Sequence, residues 1–122
     1  MAADHPTKRQ VQARIRFWQK RLGLTGWTFK TAYGKMDDEA DAACSAQPEY
    51  RHCLLHFHLE AIPVAELDNF VAHEMLHAIC WPLANVAHTL AGGDKAKEEW
   101  VRTEEESLVT ALERLFVGML AD

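Results

Sequence analysis

Cysteine is scarce in this chain. Cys44, Cys53 and Cys80 are the three in 122 residues; they form no CxxC pair and their number is odd. That pattern fits free thiols in a reducing compartment better than a disulfide framework. No apolar run approaches the ~20 residues that a membrane-spanning helix needs. The opening "MAADHPTKRQ" has no hydrophobic signal region, so a cytoplasmic protein without a membrane partner is expected. A GxSxG elbow, a P-loop and a dinucleotide-binding glycine fingerprint are all missing, which argues against serine-hydrolase, nucleotide-triphosphate and nicotinamide chemistry. Internal repeats and low-complexity segments are missing too.

What is there has the balance of an ordinary globule, with 48% apolar and 25% charged residues. The length suits one domain, residues 1–122, with a modest core. The net charge of −5 is unevenly spread. Residues 1–36 hold eight Lys and Arg against Asp4 alone, whereas the remainder is strongly acidic. A basic arm of this kind suits either nucleic acid or, more simply, a basic helix lying on an acidic body.

Thr7 can cap a helix from about Lys8 to Leu22, in which Val11, Ile15, Trp18 and Leu22 recur at helical spacing. "GWTFKTAYGK" alternates as a strand, and "MDDEAD" reads as an acidic loop. Two further strands, "AACSAQ" and "YRHCLLHFHL", meet at Pro48-Glu49, where a two-residue loop sets Cys44 opposite Cys53 as a pair of buried thiols. On the second of them Cys53, Leu55, Phe57 and Leu59 share one face and His52, Leu54, His56 and His58 the other. Pro63 suits the first turn of a helix ending or kinking at Trp81-Pro82. "LANVAHTLAGG" then makes a short helix closed by glycines, and Asp94 caps a final helix from about Lys95 to Leu120. The order predicts an α+β domain with a small sheet of about three strands.

The chemistry concentrates in "NFVAHEMLHAIC", where His73 and His77 stand four apart and Glu74 follows the first. Residues so spaced share one helix face with Cβ atoms about 6 Å apart, within reach of one Zn²⁺. Glu74, about 100° round the helix from His73, can meet a water at that ion and act as its base. Among seven histidines such a pair can arise by chance, but an apolar setting (Phe70, Val71, Met75, Leu76, Ile79) makes unpartnered ionisable groups costly.

A third ligand should come from "TEEESLVTALERLFVGML". Stepping about 100° per residue from Leu112, the apolar stripe comprises Val101, Leu108, Val109, Leu112, Leu115, Phe116 and Met119. Glu105 falls in its middle, near 20°, with Glu104 at its edge and Glu106 beyond it, near 120°. Glu105 is therefore the expected ligand, with Glu106 next if the helix is rotated. The strand histidines His52, His56 and His58 are weaker rivals, as is His88 should "PLANVAH" fold back.

With these residues, "HEMLH" followed by "EESLVTALERL" resembles the gluzincin branch of zinc metallopeptidases, above all small phage- and prophage-encoded forms. "FWQKRLGLTGWTF" and "PEYRHCLLHFHLEAIP" follow the same order, so the resemblance spans nearly the whole chain. It implies a zincin-like fold with His73, His77 and Glu105 (or Glu106) as zinc ligands and Glu74 as general base. It also implies an extended peptide substrate paired with the edge strand of the sheet. The second subdomain that donates the oxyanion stabiliser in larger relatives is not expected here, which leaves His88 and Tyr50 as candidates. A zinc-binding structural module without catalysis is the alternative. A nucleic-acid-associated, SprT-like protease using Lys8, Arg9, Arg14, Arg16, Lys20 and Arg21 is a more distant one, because no reading helix or zinc knuckle accompanies them.

Overall fold

The structure, a computed structural model, describes residues 4–36, 40–47 and 51–121. Helix α1 (Lys8–Arg21) begins at a capping box: Thr7 Oγ1 accepts from the Gln10 amide at 3.1 Å, and the Thr7 amide donates to Gln10 Oε1 at 2.8 Å. Val11, Ile15 and Trp18 recur on one side of the helix and are fully or almost fully buried. The basic side chains point mostly outward, apart from Arg14. Its Nε donates to Asp68 Oδ1 at 2.6 Å, and the same oxygen accepts from Trp18 Nε1 at 2.8 Å. One carboxylate thus satisfies a buried indole N–H and ties the basic helix to the acidic body.

Three strands follow: β1 (Thr28–Tyr33), β2 (Ala42–Gln47) and β3 (His52–Phe57), in the order β1-β3-β2. β3 lies in the middle, parallel to β1 and antiparallel to β2. Its alternation behaves as expected as far as Phe57, with Cys53, Leu55 and Phe57 buried and His52 and Leu54 exposed, but the strand ends there and Leu59 opens a 3-10 turn over Leu59–Ala61 instead of continuing it. Among the described strands β2 has β3 as its one neighbour and forms an edge. Its register corrects the expected hairpin, since Cys44 lies opposite Leu55, and Cys53 opposite Ala46. Pro48-Glu49 lies outside the described residues. A slip of two positions keeps every side chain on its own face, so Cys44 and Cys53 still meet diagonally, with Sγ atoms 2.7 Å apart.

After a 3-10 turn at Val64–Glu66, with Pro63 at its N-cap rather than in the helix itself, α2 runs from Leu67 to Ala91 without a break at Pro82. The expected stop at Trp81 and the separate short helix are therefore wrong. A proline inside a helix removes one hydrogen bond and crowds the preceding turn. Here α2 and α3 (Lys95–Gly118) make the most extensive contact between any two elements, and that packing outweighs the local cost. α2 ends at Gly92, whose φ of 59° is the left-handed conformation that glycine adopts without penalty. Asp94 Oδ1 then caps α3, accepting from the amides of Ala96 at 3.0 Å and Lys97 at 3.1 Å.

The core fills the space between α1, α2 and the inner face of the sheet, where Trp18, Leu55, Phe57, Ile62, Val71 and Met75 are all buried. α3 lies against α2 and reaches this core near its C-terminal end, through Phe116 and Val117. Among the described residues its one buried position is Val109. Leu108, Leu115 and Met119, counted in its apolar stripe from sequence, are about half exposed. The tryptophans divide similarly: Trp18 is core, but Trp100 is 69% exposed. No described helix is long and apolar enough to cross a membrane.

Candidate metal centre

α2 and α3 meet along a ladder of polar residues. Asn69, His73 and His77 follow one another at four-residue spacing on α2, so their side chains stack on the face turned to α3. Opposite them, Glu113 reaches the first two and Glu105 the third, which makes the helices antiparallel. Asn69 Nδ2 donates to Glu113 Oε2 at 2.9 Å, and His73 Nδ1 lies 2.8 Å from Glu113 Oε1. His77 Nδ1 lies 2.8 Å from Glu105 Oε2. The imidazole rings are 5.0 Å apart and inclined at 72°.

An ionised carboxylate only accepts hydrogen bonds. In the tautomer protonated at Nδ1, each neutral imidazole donates to its own carboxylate, Glu113 or Glu105, and keeps a lone pair on Nε2. Both Nε2 atoms turn to a single further carboxylate: His77 Nε2 is 2.9 Å from Glu106 Oε1, and His73 Nε2 is 3.3 Å from Glu106 Oε2. Two lone pairs and a carboxylate in mutual contact repel one another unless protons or a cation lie among them. His73, His77 and Glu106 can together hold a metal ion, one atom from each lying within 4.8 Å of the others. Two imidazole nitrogens and a carboxylate oxygen suit a borderline divalent ion such as zinc. The carboxylates on Nδ1 are the outer partners that orient such ligands and raise their basicity.

Glu74 is 8% exposed, and among the described residues none hydrogen-bonds its carboxylate. Burial pushes its pKa up, an effect the two imidazoles partly oppose. It faces a cavity of about 630 Å³ walled by Ala42, Ala43 and Cys44 of β2 on one side and by Arg102 and Glu106 of α3 on the other, with His77 and Trp81 along α2. A second cavity of about 440 Å³ adjoins it at Ala42, His73 and Glu74 and opens past Asp41, Glu66 and Phe70. The two form a polar groove beside the edge strand.

Three of the expected site residues, His73, Glu74 and His77, come together. Glu105 is directed inward as expected, but it meets the Nδ1 of His77 rather than the converging Nε2 atoms; the residue at that point is Glu106, the second choice. The reason is the rotation of α3. Its inward line is centred near Val109, about 60° round from Leu112, so Glu106 lies on the flank above the groove. Glu104 is exposed, on the opposite flank, where it lines an apolar cleft with Trp100, Val101 and Leu108. His88 does not fold back. On the continuous α2 it lies eleven residues beyond His77, a rise of about 16 Å. Tyr50 lies outside the described residues. Glu113 and Asn69 were not foreseen, although their spacing carried a signal: Asn69 precedes His73 by four, and Glu113 follows Glu106 by seven, two helical turns on one face. Comparison with family models, with curated proteins and with solved structures finds no match to this chain.

Proposed function

We propose that this protein is a metal-dependent peptidase of minimal zincin-like form, with His73, His77 and Glu106 as ligands of a zinc ion and Glu74 as general base. The observation that carries the reading is the division of labour among the carboxylates. Each imidazole has its own acid on Nδ1, and both present Nε2 to a shared third one. A histidine pair that merely packed would have no need of this arrangement.

When bound, zinc lowers the pKa of water toward neutrality and polarises a carbonyl. Glu74 is the base that takes the water's proton and returns it to the leaving amine. Glu113 and Glu105 hold the imidazoles in the required tautomer, and Asn69 steadies Glu113. The groove runs beside β2, whose outer edge has no strand neighbour among the described residues. Ala42 and Ala43 are small enough to let another main chain approach. An extended peptide joining the sheet at this edge is the substrate form that fits, and a reducing, cytoplasmic setting suits the free cysteines.

A structural role for the metal is the second reading, favoured by the position of the cluster within the most extensive interhelical contact of the fold. One experiment separates the two. Purified protein should hold about one zinc ion and cleave members of a peptide library, and Glu74→Gln should keep the zinc while losing about 10²–10⁴ in rate. Stoichiometric zinc with no cleavage of any peptide supports the structural role; full turnover by Glu74→Gln removes the assigned base.

A further inference from the structure

The cavity that holds the histidine pair is acidic at its centre and cationic at one end. Arg102 stands on α3 one turn before Glu106, and it is the one lysine or arginine among the described residues that line this cavity. Its partner is on its own helix: Nη1 donates to Glu99 Oε2 at 2.6 Å, with side chains 62% and 67% exposed. An exposed pair at i,i+3 contributes little to stability, so the guanidinium can exchange one carboxylate for another at small cost. Among the described residues it has no other hydrogen-bond or ion-pair partner. Trp81 lines the same cavity from α2.

We propose that Arg102 is the anion anchor of the groove, releasing Glu99 to take a carboxylate of the bound peptide. This rests on the peptidase reading above and specifies its substrate class. From Glu106 to Arg102 the rise along α3 is about 6 Å, which an extended chain covers in about two residues. The carboxylate recognised is therefore about two residues from the bond beside Glu74. It is either an acidic side chain or the C-terminal carboxylate, since a guanidinium forks onto both alike.

The test uses zinc-loaded Glu74→Gln protein, which should bind peptides without consuming them, and fluorescently labelled peptides read by anisotropy. One parent peptide is neutral with an amidated C-terminus. Its derivatives carry a single Asp at successive positions, or a free C-terminus. One derivative should bind roughly five- to tenfold more tightly than the parent, the size expected of a charge-assisted contact near solvent, and its identity separates the two sources. Adding Arg102→Gln should abolish the difference, whereas adding Glu99→Gln should widen it. Melting temperature and zinc content check that each variant folds.

No preference for any acidic derivative, a preference that survives Arg102→Gln, or no binding of any peptide overturns the anchor. Turnover by the unmodified protein is scored separately. Acid preference in binding without any cleavage sinks the peptidase reading and keeps the anchor, whereas cleavage with no acid preference does the reverse.

Discussion

Replacing Glu106 and Glu105 in turn by alanine should produce opposite signatures, although the two residues are neighbours on one helix. Glu106 is 53% exposed and faces both Nε2 atoms, whereas Glu105 is 14% exposed and holds the Nδ1 of His77. Without metal, Glu106→Ala takes a negative charge away from a site that also contains Glu74, Glu105 and Glu113, and leaves no buried donor unsatisfied. Its stability in urea should match the parent within ~0.5 kcal/mol. Glu105→Ala strands a largely buried imidazole N–H, at a cost of about 1–3 kcal/mol. With zinc the order reverses. Glu106→Ala removes a ligand and should weaken binding by more than the 10–100-fold, or about 1.4–2.7 kcal/mol, expected when an outer-shell acid such as Glu105 is lost. Competition against a chromophoric chelator reads the affinities, and urea titration of metal-free protein reads the stabilities. The reasoning fails if Glu105→Ala costs the greater share of zinc affinity while Glu106→Ala leaves it intact.

Asp68→Ala deprives the buried Trp18 indole of its acceptor and Arg14 of its partner, so a loss of about 2–3 kcal/mol is expected on chemical denaturation; a change under 0.5 kcal/mol would contradict the assigned tie between α1 and α2. The Cys44 thiol is held well above the usual range, first by its contact with Cys53, then by burial, with Glu74 and Glu105 adding to it. It should therefore be alkylated at neutral pH at least ~10-fold more slowly than a free thiol, and peptide mapping that found it labelled at the free-thiol rate would refute this. Pro82→Ala restores the backbone donor missing from the middle of α2, and a rise in stability of about 1–3 kcal/mol is expected. A fall instead would mean that the proline ring shapes the helix for its contact with α3.

The fold was readable wherever a local rule decides. The Thr7 and Asp94 caps, the alternation along β3 and the glycine at the end of α2 each depend on a few adjacent residues, and each formed as those residues require. Pro82 was misread because the local rule is real but small. A few kcal/mol of helix distortion is less than what a long neighbouring helix recovers along the whole interface, and nothing near Pro82 in the sequence announces that neighbour. The strand register failed for a related reason. The pattern of faces repeats every two residues, so it places Cys44 and Cys53 on the same side but cannot distinguish directly opposite from diagonal.

The candidate metal ligands illustrate the same limit in its most consequential form. Helical periodicity fixes the angle between Glu105 and Glu106, but not how α3 is rotated against α2. A stripe that includes Leu108, Leu115 and Met119 points about 60° away from the line on which Val109 is buried. The premise that a carboxylate among apolar side chains must have a partner was sound. Glu105 has one in His77, yet an imidazole offers two nitrogens, and which of them faces a given acid is decided by the packing of two helices. The same packing recruits Glu113 to His73, so the residues that prepare the histidines became visible only once the helices were side by side. Because each histidine spends its Nδ1 on an acid, the acid facing Nε2 is the one available to an ion, and this orientation, more than the HExxH spacing, distinguishes a prepared ligand set from two histidines on a helix.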